Sequence, residues 1–190
     1  MAMHSVYIVV LAAGKSERFG SNKLHVNICG RPLGSYAMKA ASECSASGRV
    51  AVLRSASDLS LVPSGFNVCY ASGQLSDSIR AGISSLPQGA CAAILLLADQ
   101  PLVNAEMLDA LIGMHEKFES EAICYSAEGV PRNPVLFPSS MFKRITELSG
   151  DRGAQFLLTQ ARRIECDAMK LIDVDTEEDA IRVRDILCGN

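Results

Sequence analysis

Val6-Tyr7-Ile8-Val9-Val10-Leu11-Ala12-Ala13-Gly14-Lys15-Ser16-Glu17-Arg18-Phe19-Gly20-Ser21-Asn22-Lys23 is the stretch that decides the fold. Its opening run is apolar without alternation, the pattern of a strand covered on both faces, and such strands belong to parallel sheets flanked by helices. The chain then leaves the sheet through small residues into a loop with three bases, Lys15, Arg18 and Lys23. Small side chains let backbone N–H groups approach a phosphate closely, and Arg18 and Lys23 can neutralise its charge. The loop therefore reads as a cradle for a nucleoside triphosphate. It contains neither a Gly-x-Gly-x-x-Gly fingerprint nor a complete P-loop motif, which disfavours dinucleotide binding and P-loop kinase or ATPase chemistry.

Working outward, apolar runs alternate with helical patterns. Strands are expected at 6–11, 50–53, 66–70, 92–98, 121–125, 134–137 and 169–174. Helices are expected at 35–44, 76–86, 104–118 with Asn104 as cap, 139–148 and 151–161. A last helix is expected to start at Asp175, with Glu178 completing a capping box and Ala180, Val183 and Leu187 forming the apolar stripe. With 190 residues and no repeat or linker, residues 1–190 read as one α/β domain whose central sheet is mostly parallel and flanked by helices. Ligands of such sheets sit beyond the carboxyl ends of the strands, so the loops after Leu11, Ala98 and Val174 matter most.

Composition narrows the function. A hydrophobic share of 48% against 21% charged residues excludes an intrinsically disordered chain. The longest apolar runs fall short of the roughly 20 residues of a membrane helix, and the start lacks a signal-peptide pattern, so a cytoplasmic protein with no membrane partner is expected. A net charge of −3 supplies no field for nucleic acid. The seven cysteines lack any Cys-x-x-Cys spacing and read as small buried residues of a reducing compartment. His4, His25 and His115 are too scattered for a metal or catalytic site and receive no role.

Asp99 follows the all-apolar run 92–98, which puts a carboxylate at the carboxyl end of a central strand. There it could hold a divalent cation that bridges phosphates, or simply cap the turn before Pro101. Asp173 and Asp175 point to one side for as long as their strand lasts. The expected capping box gives Asp175 a structural task and leaves Asp173 the freer carboxylate. Ser76 and Ser78 open a helix, where hydroxyls and free N–H groups can read a base or ribose. Capping by Ser76 accounts for that position equally well.

The stretch Leu11, Ala12, Ala13, Gly14, Lys15, Ser16 through Arg18 and Lys23 resembles the Leu-Ala-Ala-Gly-x-Ser-x-Arg-x-Gly-x-x-Lys signature of the molybdenum cofactor nucleotidyltransferases. Later segments around Ser76, Asp99, Asn133, Asp151 and Asp173 resemble further family segments in the same order. The resemblance implies a Rossmann-like nucleotidyltransferase fold in which residues 11–16, Ser76 and Ser78 bind nucleotide. It implies that Arg18 and Lys23 stabilise the charge developing as pyrophosphate leaves, and that Asp99 holds Mg2+ together with Asp173, Asp175 being the alternative second ligand. Arg132, Asn133, Gly150, Asp151 and Arg152 fall where the second substrate binds, Arg132 replacing a frequent family glycine. The implied reaction moves CMP from CTP to molybdopterin, and a molybdoenzyme would receive the product. Ala13 favours CTP, because relatives that transfer guanylyl groups tend to carry glycine there. The rivals are a sister enzyme with another nucleotide or acceptor, and a chaperone that binds without turnover.

Overall fold

The structure, a computed structural model, describes residues 5–14, 22–147 and 155–189. The first strand is β1 (Val6–Ala12). A small antiparallel hairpin follows, β2 (Asn27–Ile28) and β3 (Arg31–Pro32), turning through Cys29 and Gly30 at φ 48° and 82°. Next come α1 (Leu33–Glu43), β4 (Gly48–Leu53), β5 (Asn67–Tyr70), α2 (Leu75–Ser84), β6 (Ala92–Leu97) and α3 (Ala105–His115). The chain continues with β7 (Ile123–Ala127), β8 (Val130–Pro138), α4 (Phe142–Thr146), β9 (Arg162–Glu165) and α5 (Glu177–Cys188).

These strands, apart from the hairpin, build one sheet in the order β5-β4-β1-β6-β8-β7-β9. Within it β5, β4, β1 and β6 run parallel, β8 opposes both β6 and β7, and β9 runs parallel to β7. Only β8 is reversed, so the carboxyl ends of all the others share one edge. The α/β fold with a mostly parallel sheet is therefore as the apolar runs require.

Alternation along β1 divides the core. Val6, Ile8, Val10 and Ala12 join one apolar cluster with Met38 of α1 and Leu108 and Leu111 of α3. Val9, Leu11 and Ala13 join the other, with Ile79 and Ile83 of α2 and Ile145 of α4. Fully burying each large aliphatic side chain stabilises the fold by about 1.5–3 kcal/mol. Gly82 lets α2 lie close to the sheet, because a Cβ there would collide with Val9 and Val52. Among the described residues no helix is long and apolar enough to cross a membrane.

Four expectations need correction. Residues 169–174 are no strand: a 3-10 turn at Ala168–Leu171, capped by Asp167 accepting from the Met169 N–H at 2.8 Å, precedes an extended pass. The helix expected over 151–161 gives way to a 3-10 turn at Gln155–Leu158 before β9, its start lying outside the described residues. α5 is capped one residue later than expected: Thr176 Oγ1 accepts from the Asp179 N–H at 3.2 Å and Asp179 Oδ2 accepts from the Thr176 N–H at 3.0 Å. The cysteines also differ, since Cys29 of the hairpin turn and Cys188 at the end of α5 form a disulfide. A pair 159 residues apart in sequence becomes visible only once α5 packs beside β2.

Candidate active site

At the shared carboxyl edge, β1 delivers Ala12 and Ala13, both buried, and then the exposed Gly14. No described residue stands within 4 Å of where a Gly14 side chain would project. Beside it the turn after β6 carries Asp99 and Gln100, the Ala98 N–H donating to the Leu11 carbonyl at 3.1 Å. The extended pass before α5 joins this edge where the Val174 N–H donates to the Asp99 carbonyl at 3.0 Å. Asp173 and Asp175 flank that tether.

Lys23 lies in a 3-10 turn at Lys23–His25, started by Asn22, whose side chain accepts from the Leu24 N–H. Only 8% exposed, it reaches Asp99 Oδ2 and Asp175 Oδ1 with its Nζ, each at 2.7 Å. Burial works against the ammonium, but the two carboxylates outweigh it and hold Lys23 above its ordinary pKa. The sequence suggests a lysine in a polar loop, whereas the structure buries it in an ion-paired cluster.

Asp173 is in the opposite situation. Burial first, then the charges of Asp99 and Asp175, push its carboxyl up to about 7. Among the described residues, Asp99 Oδ1 and Asp173 Oδ1 are buried and meet no hydrogen-bond donor. Among the described residues, three acids, Asp99, Asp173 and Asp175, gather around Lys23.

The other candidates are distributed as follows. α2 begins with Asp77 accepting from the Gln74 N–H at 2.9 Å, so Ser76 is not the cap. Ser76 and Ser78 are both buried in its first turns. On β8, Arg132 is exposed and Asn133 half-buried. The Asn133 carbonyl accepts from Gln100 Nε2 at 3.3 Å, which ties the expected acceptor segment to the Asp99 turn. Lys15, Ser16, Arg18, Gly150, Asp151 and Arg152 lie outside the described residues.

The sequence matches the MobA-like NTP transferase domain over residues 8–164. The chain belongs to the MobA-like NTP transferase family. The purine catabolism protein PucB of Bacillus subtilis is 33% identical, the match covering 96% of this chain and 98% of that protein. Among solved structures, Rv0371c from Mycobacterium tuberculosis is similar with a TM-score of 0.85 at 24% identity, covering 95% of this chain and 98% of the other. Its complex with manganese gives 0.81 at 22%, again over 95% and 98%.

Two parts of this MobA-like site escape sequence reading. Gln100, only 1% exposed, donates to the carbonyls of Asn133 and of Leu171, the latter at 3.2 Å, so it braces Asp99 between β8 and the tail. His25, given no role above, pairs through Nε2 with Asp58 Oδ1 at 3.0 Å. Neither contact has a sequence signal, because the partners are brought together only by the fold. The release of Asp175 from helix capping does have one: Thr176-x-x-Asp179 is a capping box one step beyond the expected one. For a MobA-like transferase nucleotide substrates are expected.

Proposed function

We propose that this transferase moves CMP from CTP to molybdopterin, releasing pyrophosphate and forming molybdopterin cytosine dinucleotide. The observation that carries the reading is Lys23 held between Asp99 and Asp175 beside two buried carboxylate oxygens that meet no donor among the described residues. Those oxygens fit a divalent cation. Among the described residues no group of three or more His, Cys, Asp or Glu could hold a metal alone. Asp99 and Asp173 would therefore supply one or two ligands and leave the rest to phosphate oxygens and water, the usual arrangement for Mg2+. The manganese complex of Rv0371c supports a metal of this class. When bound, the ion would neutralise triphosphate charge and stabilise the departing pyrophosphate.

The chain's own groups supply the rest. Backbone N–H groups around Ala12, Ala13 and Gly14 approach the phosphates, with Lys15, Ser16 and Arg18 continuing the same loop. Arg18 and Lys23 stabilise charge that grows on the leaving group. Ser76 and Ser78 border the nucleoside end, while Arg132, Asn133, Gly150, Asp151 and Arg152 orient the acceptor. Its terminal phosphate attacks the α-phosphorus in line, forming a new P–O bond as the bond to pyrophosphate breaks. That nucleophile is already anionic, so positioning and charge neutralisation replace a strong general base.

The setting we infer is cytoplasmic, and the product would pass to a molybdoenzyme. The test incubates purified protein with molybdopterin, Mg2+ or Mn2+ and each of the four nucleoside triphosphates in turn, following pyrophosphate. Release with CTP and acceptor together is expected; release only with another nucleotide would replace the cytidylyl reading, and none at all would overturn turnover.

A further inference from the structure

Asp58 is a buried carboxylate, 2% exposed, outside the cluster just described. It sits in a 3-10 turn at Ala56–Leu61 that follows β4. Both its oxygens are engaged. Oδ1 accepts from Asn22 Nδ2 at 2.8 Å and lies 3.0 Å from His25 Nε2; Oδ2 accepts from the Ser55 N–H at 3.3 Å and the Ser55 hydroxyl at 3.1 Å. Such a buried charge is costly unless several donors satisfy it, and here they do.

The placement of those donors is informative. Asn22 immediately precedes Lys23 and His25 follows it by two, so one carboxylate oxygen brackets the lysine from both sides. Asn22 also uses its Oδ1 to start the turn, accepting from the Leu24 N–H. Apolar packing joins the same two turns, because Leu24 and Leu61 share a core cluster and both lie 3.2 Å from where a Gly34 Cβ would stand. The Lys23 side chain has a long flexible stem, and reaching two carboxylates at once needs a fixed Cα position.

We infer that Asp58 is a positioning residue for Lys23: through Asn22 and His25 it holds the turn that carries the lysine's ammonium to Asp99 and Asp175. The inference rests on the transferase reading for its kinetic consequence, though not for its geometric one.

Full-length protein is compared as wild type, Asp58→Asn, Lys23→Ala and the double variant, with Mg2+, CTP and molybdopterin. Asp58→Asn is expected to lower kcat about ten-fold while KM for CTP moves less than about three-fold, because Lys23 acts on charge that develops during the reaction. In the Lys23→Ala background Asp58→Asn should cost nothing further, since residues acting through one group are not additive. Unchanged kcat in Asp58→Asn, or a full multiplicative loss in the double variant, overturns the inference. If the wild type releases no pyrophosphate with any nucleotide, the transferase reading fails and a second measurement decides this one. The side-chain ammonium signal of Lys23, assigned in 1H–15N spectra by its loss in Lys23→Ala, should shift or vanish in Asp58→Asn. A signal that stays in place overturns the inference. Should Asp58→Asn not fold, Asn22→Ala, at an exposed position, takes its place in both measurements with the same expected and overturning results.

Discussion

Val174 donates its backbone N–H to the carbonyl of Asp99 at 3.0 Å. Through this bond the tail of the chain reaches the end of β6 without entering the sheet, and Asp173 and Asp175 arrive on either side of it. A carboxylate cluster assembled from two distant segments depends on such backbone tethers, since the like charges alone would drive the segments apart.

Lys23 is the counterweight to that repulsion. Lys23→Ala should lower kcat on the order of 10²-fold, as removal of one preorganised charge contact does. It should also lower stability by about 1–3 kcal/mol, because Asp99 and Asp175 lose their shared partner in a partly buried site. Arg18→Ala is expected to lose a similar share of kcat. Pyrophosphate kinetics and thermal melts check both, and wild-type turnover in either variant would make that residue a bystander.

Asp175 and Thr176 separate cleanly. Thr176 caps α5, so Thr176→Ala should cost about 1 kcal/mol of stability and leave turnover nearly intact. Asp175→Asn should do the reverse, leaving the helix in place while weakening the hold on Lys23. Melting curves set beside kcat for the two variants would expose an exchange of these effects.

How far the sequence carried the site follows from these residues. The strands at β1, β4, β5 and β6 were legible because each is a short apolar run bounded by turn residues, and Asn104 was legible as a cap because its side chain accepts from the nearby Met107 N–H. Asp99 drew attention because it follows the all-apolar run 92–98, and Lys23 because it closes the basic loop after β1; the structure brings the two together as an ion pair at 2.7 Å. The tail was misread as a strand, since Leu171, Ile172 and Val174 are apolar for another reason: Val174 fills a small core with Ile28 and Val183. β9 was missed because Arg162 and Arg163 interrupt its apolar pattern; Arg162 pairs with Glu121 and lies over the Phe118 ring. Asp58, His25 and Gln100 make contacts between segments far apart in sequence, which no local pattern encodes.

Acid should reveal Asp58. Burial alone would raise its pKa, but His25, Asn22 and Ser55 outweigh that and hold it below the ordinary carboxylate value. A folded pKa below the unfolded one means that the unfolded chain binds more protons in the interval between them. The stabilisation is therefore complete above about pH 4 and is lost as pH falls through the depressed folded value. Denaturant unfolding of wild type and Asp58→Asn should show a stability gap at pH 7 that closes below about pH 4. A gap independent of pH would mean that the carboxylate's charge is not what stabilises the turn.

Ala13 should set the base preference. Its methyl is buried in the cluster that also contains Ile79, next to the start of α2. A single methyl is worth about 1–3 kcal/mol, so CTP should be favoured over GTP by roughly 10 to 200-fold in kcat/KM. Ala13→Gly should narrow that ratio. Equal use of both nucleotides by the wild type would remove the basis for the cytidylyl assignment.

Asp99 gives the most direct separation of catalysis from mere binding. Its Oδ2 holds Lys23 while its Oδ1 is buried with no donor among the described residues. Asp99→Asn preserves the shape and removes the charge, so the lysine loses an ionic partner and the proposed cation loses a ligand together. Turnover should fall almost to nothing, with nucleotide binding weakened far less. Asp173→Asn differs, because burial and the charges of Asp99 and Asp175 work against the Asp173 carboxylate. Neutralising it should relieve repulsion, so thermal stability should hold or rise while metal-dependent turnover falls nearly as far as in Asp99→Asn. Titration of Mn2+ into the three proteins would distinguish the cases: tight binding by the wild type alone is expected. Should Asp99→Asn keep both Mn2+ binding and pyrophosphate release, the metal site lies elsewhere on the chain.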